Sequence, residues 1–118
     1  MVSGIQSALS GLMALQKKTA ATAHNTANVN TDGYKKVKVT LSEGTPVGTI
    51  EARAEKIETP GPVVQEQTAA GTEMVEKSNV DLAEEMPNLM LSRRYFQANL
   101  KVVQSEDERL GSLLNIKS

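Results

Sequence analysis

Residues able to perform acid–base, nucleophilic or metal chemistry are few in this 118-residue chain, and their spacing does not suit catalysis. The one histidine is His24 and cysteine is absent, which excludes disulfides, Cys-based metal sites and thiol chemistry. Adjacent carboxylates at Glu84-Glu85 and at 106–108 lie in a charged helical pattern, where acidic flanks are ordinary. Residues 44–48 contain two glycines but lack the lysine of a phosphate-binding loop. The sequence therefore predicts no enzyme, no metal or cofactor, and no small-molecule substrate.

The net charge and its distribution along the chain limit the kinds of partner that this protein could bind. Thirteen basic and fourteen acidic residues give a net charge of −1, which argues against nucleic-acid binding. The first 41 residues carry a net +4, residues 42–79 a net −4, and the remainder a net −1. These are either solvated segments of different composition or charges that complement one another between neighbouring copies. Residues 1–16 contain no lysine or arginine, unlike a cleavable signal peptide, and no apolar run is long enough to span a membrane.

A helical stripe begins near the N-terminus. Ser3 is a suitable N-cap, and apolar residues follow at spacings of three and four, at Ile5, Ala8, Leu9, Leu12 and Leu15. Beyond residue 16 the same face carries small polar residues, which bury little area, so this half of the helix requires a partner. The pattern predicts a helix over 3–29 and then a turn at Asp32-Gly33, where Gly33 takes a positive φ.

The middle of the chain, residues 36–79, has no helical period. Alternation in 37–41 and in 47–57 is typical of strands with one exposed face, and Pro60-Gly61 marks a turn. Residues 65–77 are polar and are predicted to be loosely ordered. Short β-hairpins rarely stand alone in water, so we expect them to lean on a helix or on a neighbouring subunit.

The C-terminal region holds the strongest pattern, a heptad repeat typical of a coiled coil. One row of the repeat is Leu82, Leu89, Phe96, Val103 and Leu110, and the other is Met86, Arg93, Leu100, Asp107 and Leu114. Arg93 and Asp107 interrupt the apolar seam, so they either face solvent or contact partners that set the register.

The start of the last helix has two interpretations. Asp81 is a suitable N-cap, with Glu84 completing a capping box. Pro87 then lies beyond the first turn and predicts a kink near Ala83 to Met86. Alternatively, the regular helix begins only at Met86 or Pro87.

These patterns predict a mainly α fold. An N-terminal helix (1–30) and a C-terminal helix (80–118) pair as an α-helical coiled coil and form one helical unit. A small region of β-hairpins and loops (31–79) lies between them. The residues predicted to make the helix-packing and assembly contacts are Ile5, Leu9, Leu12, Leu15, Leu82, Leu89, Leu100, Val103, Leu110 and Leu114.

Two segments resemble the bacterial flagellar axial proteins, the rod and hook family. The N-terminal match consists of Asn25, Ala27, Asn28, Thr31, Gly33, Tyr34 and Lys35; Thr26 departs from the usual isoleucine or leucine. The C-terminal match consists of Ser78, Asn79, Val80, Asp81, Glu85, Met86, Arg94, Phe96 and Asn99; Pro87 departs from the family pattern.

This resemblance implies a structural subunit of the flagellar basal-body rod, which transmits torque and surrounds the export channel. Its implied partners are other copies of the chain, other rod proteins and the flagellar type III export apparatus. Its implied place is the periplasmic rod, after export without a cleavable signal peptide. Only residues 36–77 separate the two motifs, which favours a proximal-rod type or a reduced rod homologue. The alternative is a soluble coiled-coil adaptor or export chaperone that binds a partner helix.

Overall fold

The computed structural model describes residues 3–117, in which two long helices flank two antiparallel hairpins. The elements in chain order are α1 (Gly4–Ala27), β1 (Val37–Glu43), β2 (Ile50–Lys56), β3 (Val63–Thr68), β4 (Gly71–Glu76) and α2 (Leu82–Lys117). The molecule is elongated, with extents of 80 × 23 × 19 Å. The predicted fold class, mainly α with paired terminal helices and a small β region, is confirmed. Residues 1, 2 and 118 of the predicted helical segments lie outside the described residues.

Helix α1 begins at the predicted cap. The Ser3 hydroxyl accepts a hydrogen bond from Gln6 N at 3.2 Å, and Gln6 Oε1 accepts one from Ser3 N at 3.3 Å. Together these bonds satisfy two amide groups that a helix start leaves without partners. The helix ends at Ala27 and is capped by Asn28, whose N–H donates to the carbonyls of His24 and Asn25.

Helix α2 starts at Leu82 and runs through Pro87 without a break. Asp81 caps it, because its Oδ1 accepts from Ala83 N at 2.9 Å. The Glu84 carboxylate does not complete the expected capping box and instead accepts from Lys36 Nζ at 2.7 Å. A helix start at Met86 or Pro87 is therefore wrong, while the kink before Pro87 stays a prediction.

The two helices pack antiparallel, and small residues of α1 admit side chains of α2. A Cβ added at Gly11 would lie 3.2 Å from Asn99 Nδ2, and one added at Gly4 would lie 2.9 Å from Glu106 Oε1. Both helices therefore advance by seven residues between these two contacts. Glycine lets the Asn99 and Glu106 side chains lie close to the α1 backbone, and a larger residue at either position would require these side chains to shift.

The face of α2 that packs on α1 differs from the predicted seam. Glu85 and Ser92 are buried, and Leu89, Phe96 and Val103 of the first predicted row are half-buried. The second predicted row is exposed along its length, at Met86, Arg93, Leu100, Asp107 and Leu114. The side of α2 that packs on α1 is therefore a row of polar residues, Glu85, Ser92, Asn99 and Glu106, which we call the polar row. The small residues of α1 leave room for these side chains and supply few apolar contacts.

The two hairpins differ in how closely they pack against the helices. Strands β1 and β2 pair antiparallel from Val37↔Lys56 to Glu43↔Ile50 and lie against α1, where Val39 is buried. Strands β3 and β4 pair with each other from Val63↔Glu76 to Thr68↔Gly71, and their side chains are mostly exposed. The expectation of loose order over 65–77 is wrong there, because the pairing rests on backbone hydrogen bonds that leave no trace in the apolar pattern. Across residues 3–117, the buried hydrophobic residues are Ala8, Ala14, Leu15 and Val39.

The second hairpin is anchored where the chain passes beside Gly61. Lys77 N donates to the Pro62 carbonyl at 2.8 Å, and a Cβ at Gly61 would overlap the Lys77 carbonyl. Gly61 is buried, so this close backbone approach has no room for a side chain.

We therefore expect Gly61→Ala to lower the free energy of unfolding by about 2 kcal/mol, since the clash is with rigid backbone. The matched control is Gly111→Ala, where an added Cβ meets nothing within 4 Å in α2. That change should raise stability by up to about 1 kcal/mol, because alanine favours helix. Urea unfolding followed by circular dichroism measures both, and equal stability of the two variants would contradict the anchor.

Candidate functional site

The side chain of Asn25 holds the first strand against the end of α1. It is 1% exposed, its Nδ2 donates to the Val37 carbonyl at 2.8 Å, and its Oδ1 accepts from Val37 N at 2.9 Å. The amide thus satisfies both backbone groups of one residue, as a neighbouring strand would.

The same amide joins the turn and the last helix. Tyr34 Oη donates to Asn25 Oδ1 at 3.0 Å, and Asn25 Nδ2 also donates to Glu85 Oε1 at 3.2 Å. Burial, and secondly the negative charge of Glu85, raises the pKa of the Tyr34 hydroxyl above its usual value. The phenol therefore stays protonated and donates at neutral pH. The edge of the His24 ring contacts Tyr34, with the ring centroids 5.7 Å apart.

Asn79 makes an equivalent set of contacts from the C-terminal motif. Its Oδ1 accepts from Lys36 N at 2.6 Å, and its Nδ2 donates to the carbonyls of Ile57 and Thr59 at 2.8 and 2.9 Å. Its own N–H donates to the Tyr34 carbonyl at 3.2 Å. Residues 34–37 are therefore held between one asparagine of each motif. We call Asn25, Tyr34, Asn79 and Glu85 the asparagine clamp.

An ionic layer surrounds the clamp. Glu76 accepts from Lys35 Nζ and from Gly61 N, and these bonds lower the pKa of its carboxyl. Lys77 pairs with Asp32 and Glu66, and these hydrogen bonds raise the pKa of its ammonium. These pairs fix the second hairpin to the turn that follows α1.

The remaining residues of the predicted N-terminal motif shape the helix end and the turn. Ala27 is the last residue of α1, and Asn28 Oδ1 accepts from Thr31 Oγ1 at 3.1 Å. Gly33 has a φ of +69°, as the turn pattern predicted, and its N–H donates to the Glu76 carbonyl at 2.9 Å.

The predicted C-terminal motif divides into two groups. The first leads into α2: Ser78 is buried, its Oγ accepts from Val80 N at 3.1 Å, and Asp81 caps the helix. The second lies further along α2 and takes no part in the clamp. In it, Phe96 and Asn99 are half-buried, whereas Met86 and Arg94 are exposed.

Sequence reasoning missed Glu76, Gly61 and Lys36, which the structure places around the clamp. The glycine at 61 between two prolines was a usable signal, because such a residue suits a close backbone approach. The opposite charges of Lys36 and Glu84 carry no such signal, since 48 residues separate them.

A groove lies on one side of the paired helices. It has a volume of about 740 Å³, and its main lining residues are Ala20, Ala23, Leu89, Arg93, Phe96 and Leu100. Leu100 is 47% exposed. We call this the apolar groove, and it is a surface suited to holding a helix rather than to chemistry.

Residues 3–117 offer no metal site of protein ligands. Within that range no three His, Asp or Glu side chains come together as metal ligands. Neither described helix is both long enough and apolar enough to cross a membrane.

The clamp predicts that removing the Asn25 side-chain amide strongly lowers the stability of the fold. Asn25→Ala should lower the free energy of unfolding by about 3 kcal/mol, because each backbone group left unsatisfied at Val37 costs about 1–3 kcal/mol. Asn30→Ala is the control: Asn30 is exposed, and the change should stay within about 0.5 kcal/mol. Urea unfolding of both variants tests this, and similar midpoints would contradict the clamp.

The ionic layer predicts that the stability of the fold decreases at acidic pH. The lowered pKa of Glu76 means that its carboxylate stabilises the fold above its unfolded pKa of 4.5, and that this contribution is lost as pH falls through the lower folded pKa. Glu76→Gln should therefore lose less stability than the wild type between pH 7 and pH 3.5. Glu73→Gln, an exposed change on the same strand, should keep the wild-type dependence. Urea midpoints at the two pH values measure the difference, and an unchanged acid dependence in Glu76→Gln would count against the ionic layer.

Two protein-family models match the chain, one at each end. "Flagella basal body rod protein" matches residues 5–35, and "Flagellar basal body rod FlgEFG protein C-terminal" matches residues 72–116. Together they cover well over half of the chain. All four residues of the clamp lie inside these matches.

Relatives of known function match over a shorter segment. The flagellar hook protein FlgE of Helicobacter pylori (strain ATCC 700392 / 26695) is 49% identical over 43 residues, which are 36% of this chain and 6% of the relative. The flagellar basal-body rod protein FlgG of Bacillus subtilis (strain 168) is 42% identical over 43 residues, or 16% of its length. FlgE of Escherichia coli (strain K12) is 35% identical over 43 residues, or 11% of its length. The matched segment is thus a small part of each relative. With both family models in chain order and both motifs meeting at one clamp, the chain belongs to the flagellar rod and hook protein family.

Proposed function

We propose that this chain is a structural subunit of the flagellar basal-body rod, which assembles helically into the axial tube around the export channel. One observation carries the proposal: the two segments matched by rod-family models are the two ends that the clamp joins. Asn25 and Glu85 lie 60 residues apart in sequence, yet they share a buried hydrogen bond. The family motifs therefore build one continuous rod-shaped unit, 80 Å long.

The exposed surface supports assembly with other subunits. Met86, Leu100 and Leu114 are 52%, 47% and 70% exposed on one row of α2. Soluble monomers rarely leave a long apolar stripe open, and such stripes mark sites of protein contact. Contacts between different surfaces of like copies generate a filament when their rotation does not close. The proposed partners are therefore other copies of this chain and other rod proteins.

The short region between the helices supports a proximal-rod type. Two small hairpins connect α1 to α2, and no further element is inserted there. Such a subunit adds little bulk outside the paired helices.

Location and export form part of the same proposal, on the basis of family membership. The chain would leave the cytoplasm through the flagellar type III export apparatus without signal-peptide cleavage and join the periplasmic rod. We propose no catalytic role, since the clamp satisfies its polar groups with one another and with backbone.

The apolar groove favours a second candidate, a coiled-coil adaptor or export chaperone that binds a partner helix. An adaptor would use the same groove but stay outside the finished rod. The two functions therefore differ in where the chain is found after assembly.

The test is to isolate basal bodies from the source bacterium and to probe them for this chain. We expect the chain to be present, and we expect deletion of residues 4–15 to abolish both its incorporation and swimming. That deletion removes the half of α1 that packs on Asn99 and Glu106, so the C-terminal half of α2 loses its partner within the chain. Asn30→Ala is the control and should assemble normally. Intact rods that lack the chain, in cells that express it, would favour the adaptor.

A further inference from the structure

Helix α2 is longer than the helix that packs on it. Glu106 lies beside Gly4, the first residue of α1, and α2 continues through residues 107–117. This extension, which we call the tail, rises on the order of 15 Å along its axis. Leu110, Leu113 and Leu114 of the tail are 45%, 55% and 70% exposed. The heptad pattern therefore continues beyond the end of its partner within the chain.

The apolar groove matches the tail in length. Its α2 wall runs from Leu89 to Leu100, a rise of about 16 Å. Its α1 wall includes Ala20 and Ala23, whose small side chains allow a third helix to approach closely. One end of the molecule thus carries an uncovered helix, and the middle carries an empty groove of equal length.

Two charged residues of α2 specify how the helices of two copies would align. Arg93 is the charged residue of the groove lining, and Asp107 opens the tail. Neither makes an ion pair with any residue of the described range 3–117, although both lie on the exposed apolar row. They occupy the same heptad position, two heptads apart. A parallel neighbour shifted by 14 residues, about 21 Å, therefore brings Asp107 to Arg93, Leu110 to Phe96 and Leu114 to Leu100.

We propose that the tail of one copy seats in the apolar groove of the next copy, with Asp107 paired to Arg93. This inference rests on the proposed rod function and specifies the contact between copies. The contact joins two different surfaces, so it repeats along an axis without closing. It also covers the apolar row that α1 leaves open and pairs the two charges that interrupt it.

Paired cysteines in assembled rods test the contact. The chain has no native cysteine, so Phe96→Cys with Leu110→Cys introduces the only two thiols. These positions lie about 21 Å apart on one helix, so they cannot form a disulfide within one copy. Oxidation of isolated basal bodies should produce a ladder of covalent oligomers that collapses to monomer on reduction. Leu100→Cys with Leu114→Cys provides a second pair at the same spacing, in case the loss of Phe96 prevents incorporation.

The matched control is Leu91→Cys with Leu110→Cys. Leu91 is 48% exposed and lies about 160° around α2 from Arg93, on the side away from the groove. This pair should give no ladder. A ladder of equal strength in the control, or none in either groove pair when the chain is incorporated, would overturn the tail contact alone. Absence of the wild-type chain from basal bodies would overturn the rod function and this contact together.

Charge reversal tests the register. Arg93→Asp and Asp107→Arg should each reduce incorporation roughly tenfold, because each places like charges together in the contact. The double variant should restore incorporation to within about twofold, since the pair is re-formed with opposite polarity. Additive loss in the double variant would exclude this pairing.

Discussion

The structure depends on one buried amide. Asn25 satisfies both backbone groups of Val37, accepts from Tyr34 and donates to Glu85. No aliphatic side chain of similar size could do this, because a buried N–H or carbonyl without a partner costs more than one hydrogen bond contributes. Through this residue the helix end, the turn, the first strand and the last helix are fixed at one point. That point sets where the first hairpin and the start of α2 lie relative to the end of α1.

Small residues on α1 determine which face of α2 packs against it. Gly4 and Gly11 admit Glu106 and Asn99, so the helices approach along a polar row. Ser92 lies on this row with its hydroxyl buried and without a hydrogen-bond partner among residues 3–117. Such an interface buries little apolar area, and its contribution to stability is correspondingly modest. Many apolar residues of α2, among them Met86, Leu100 and Leu114, are left on the surface, where they are available to other chains.

This arrangement suits a subunit whose stability comes largely from assembly. Few hydrophobic residues are buried in the described chain, and the molecule is long and narrow. A chain of this kind gains stability by mass action when neighbours cover its exposed rows. The clamp gives this elongated chain a fixed geometry at one end, because it joins the end of α1, the turn and the start of α2.

The sequence by itself determined the two long helices, the turn after the first helix and the family. The start of α1 at Ser3 and the turn at Gly33 follow from local spacing and backbone preference, and both are confirmed. For α2 the sequence left two possible starts, and the structure selects the one capped by Asp81. The order of β3 and β4 was missed, because backbone pairing there is independent of the apolar pattern. Two features were decided by tertiary structure alone. Asn25 and Asn79 hold the same segment, residues 34–37, and the polar row of α2 faces α1. Both depend on contacts between segments far apart in sequence, and a heptad repeat does not specify which of its faces a partner with small side chains will cover.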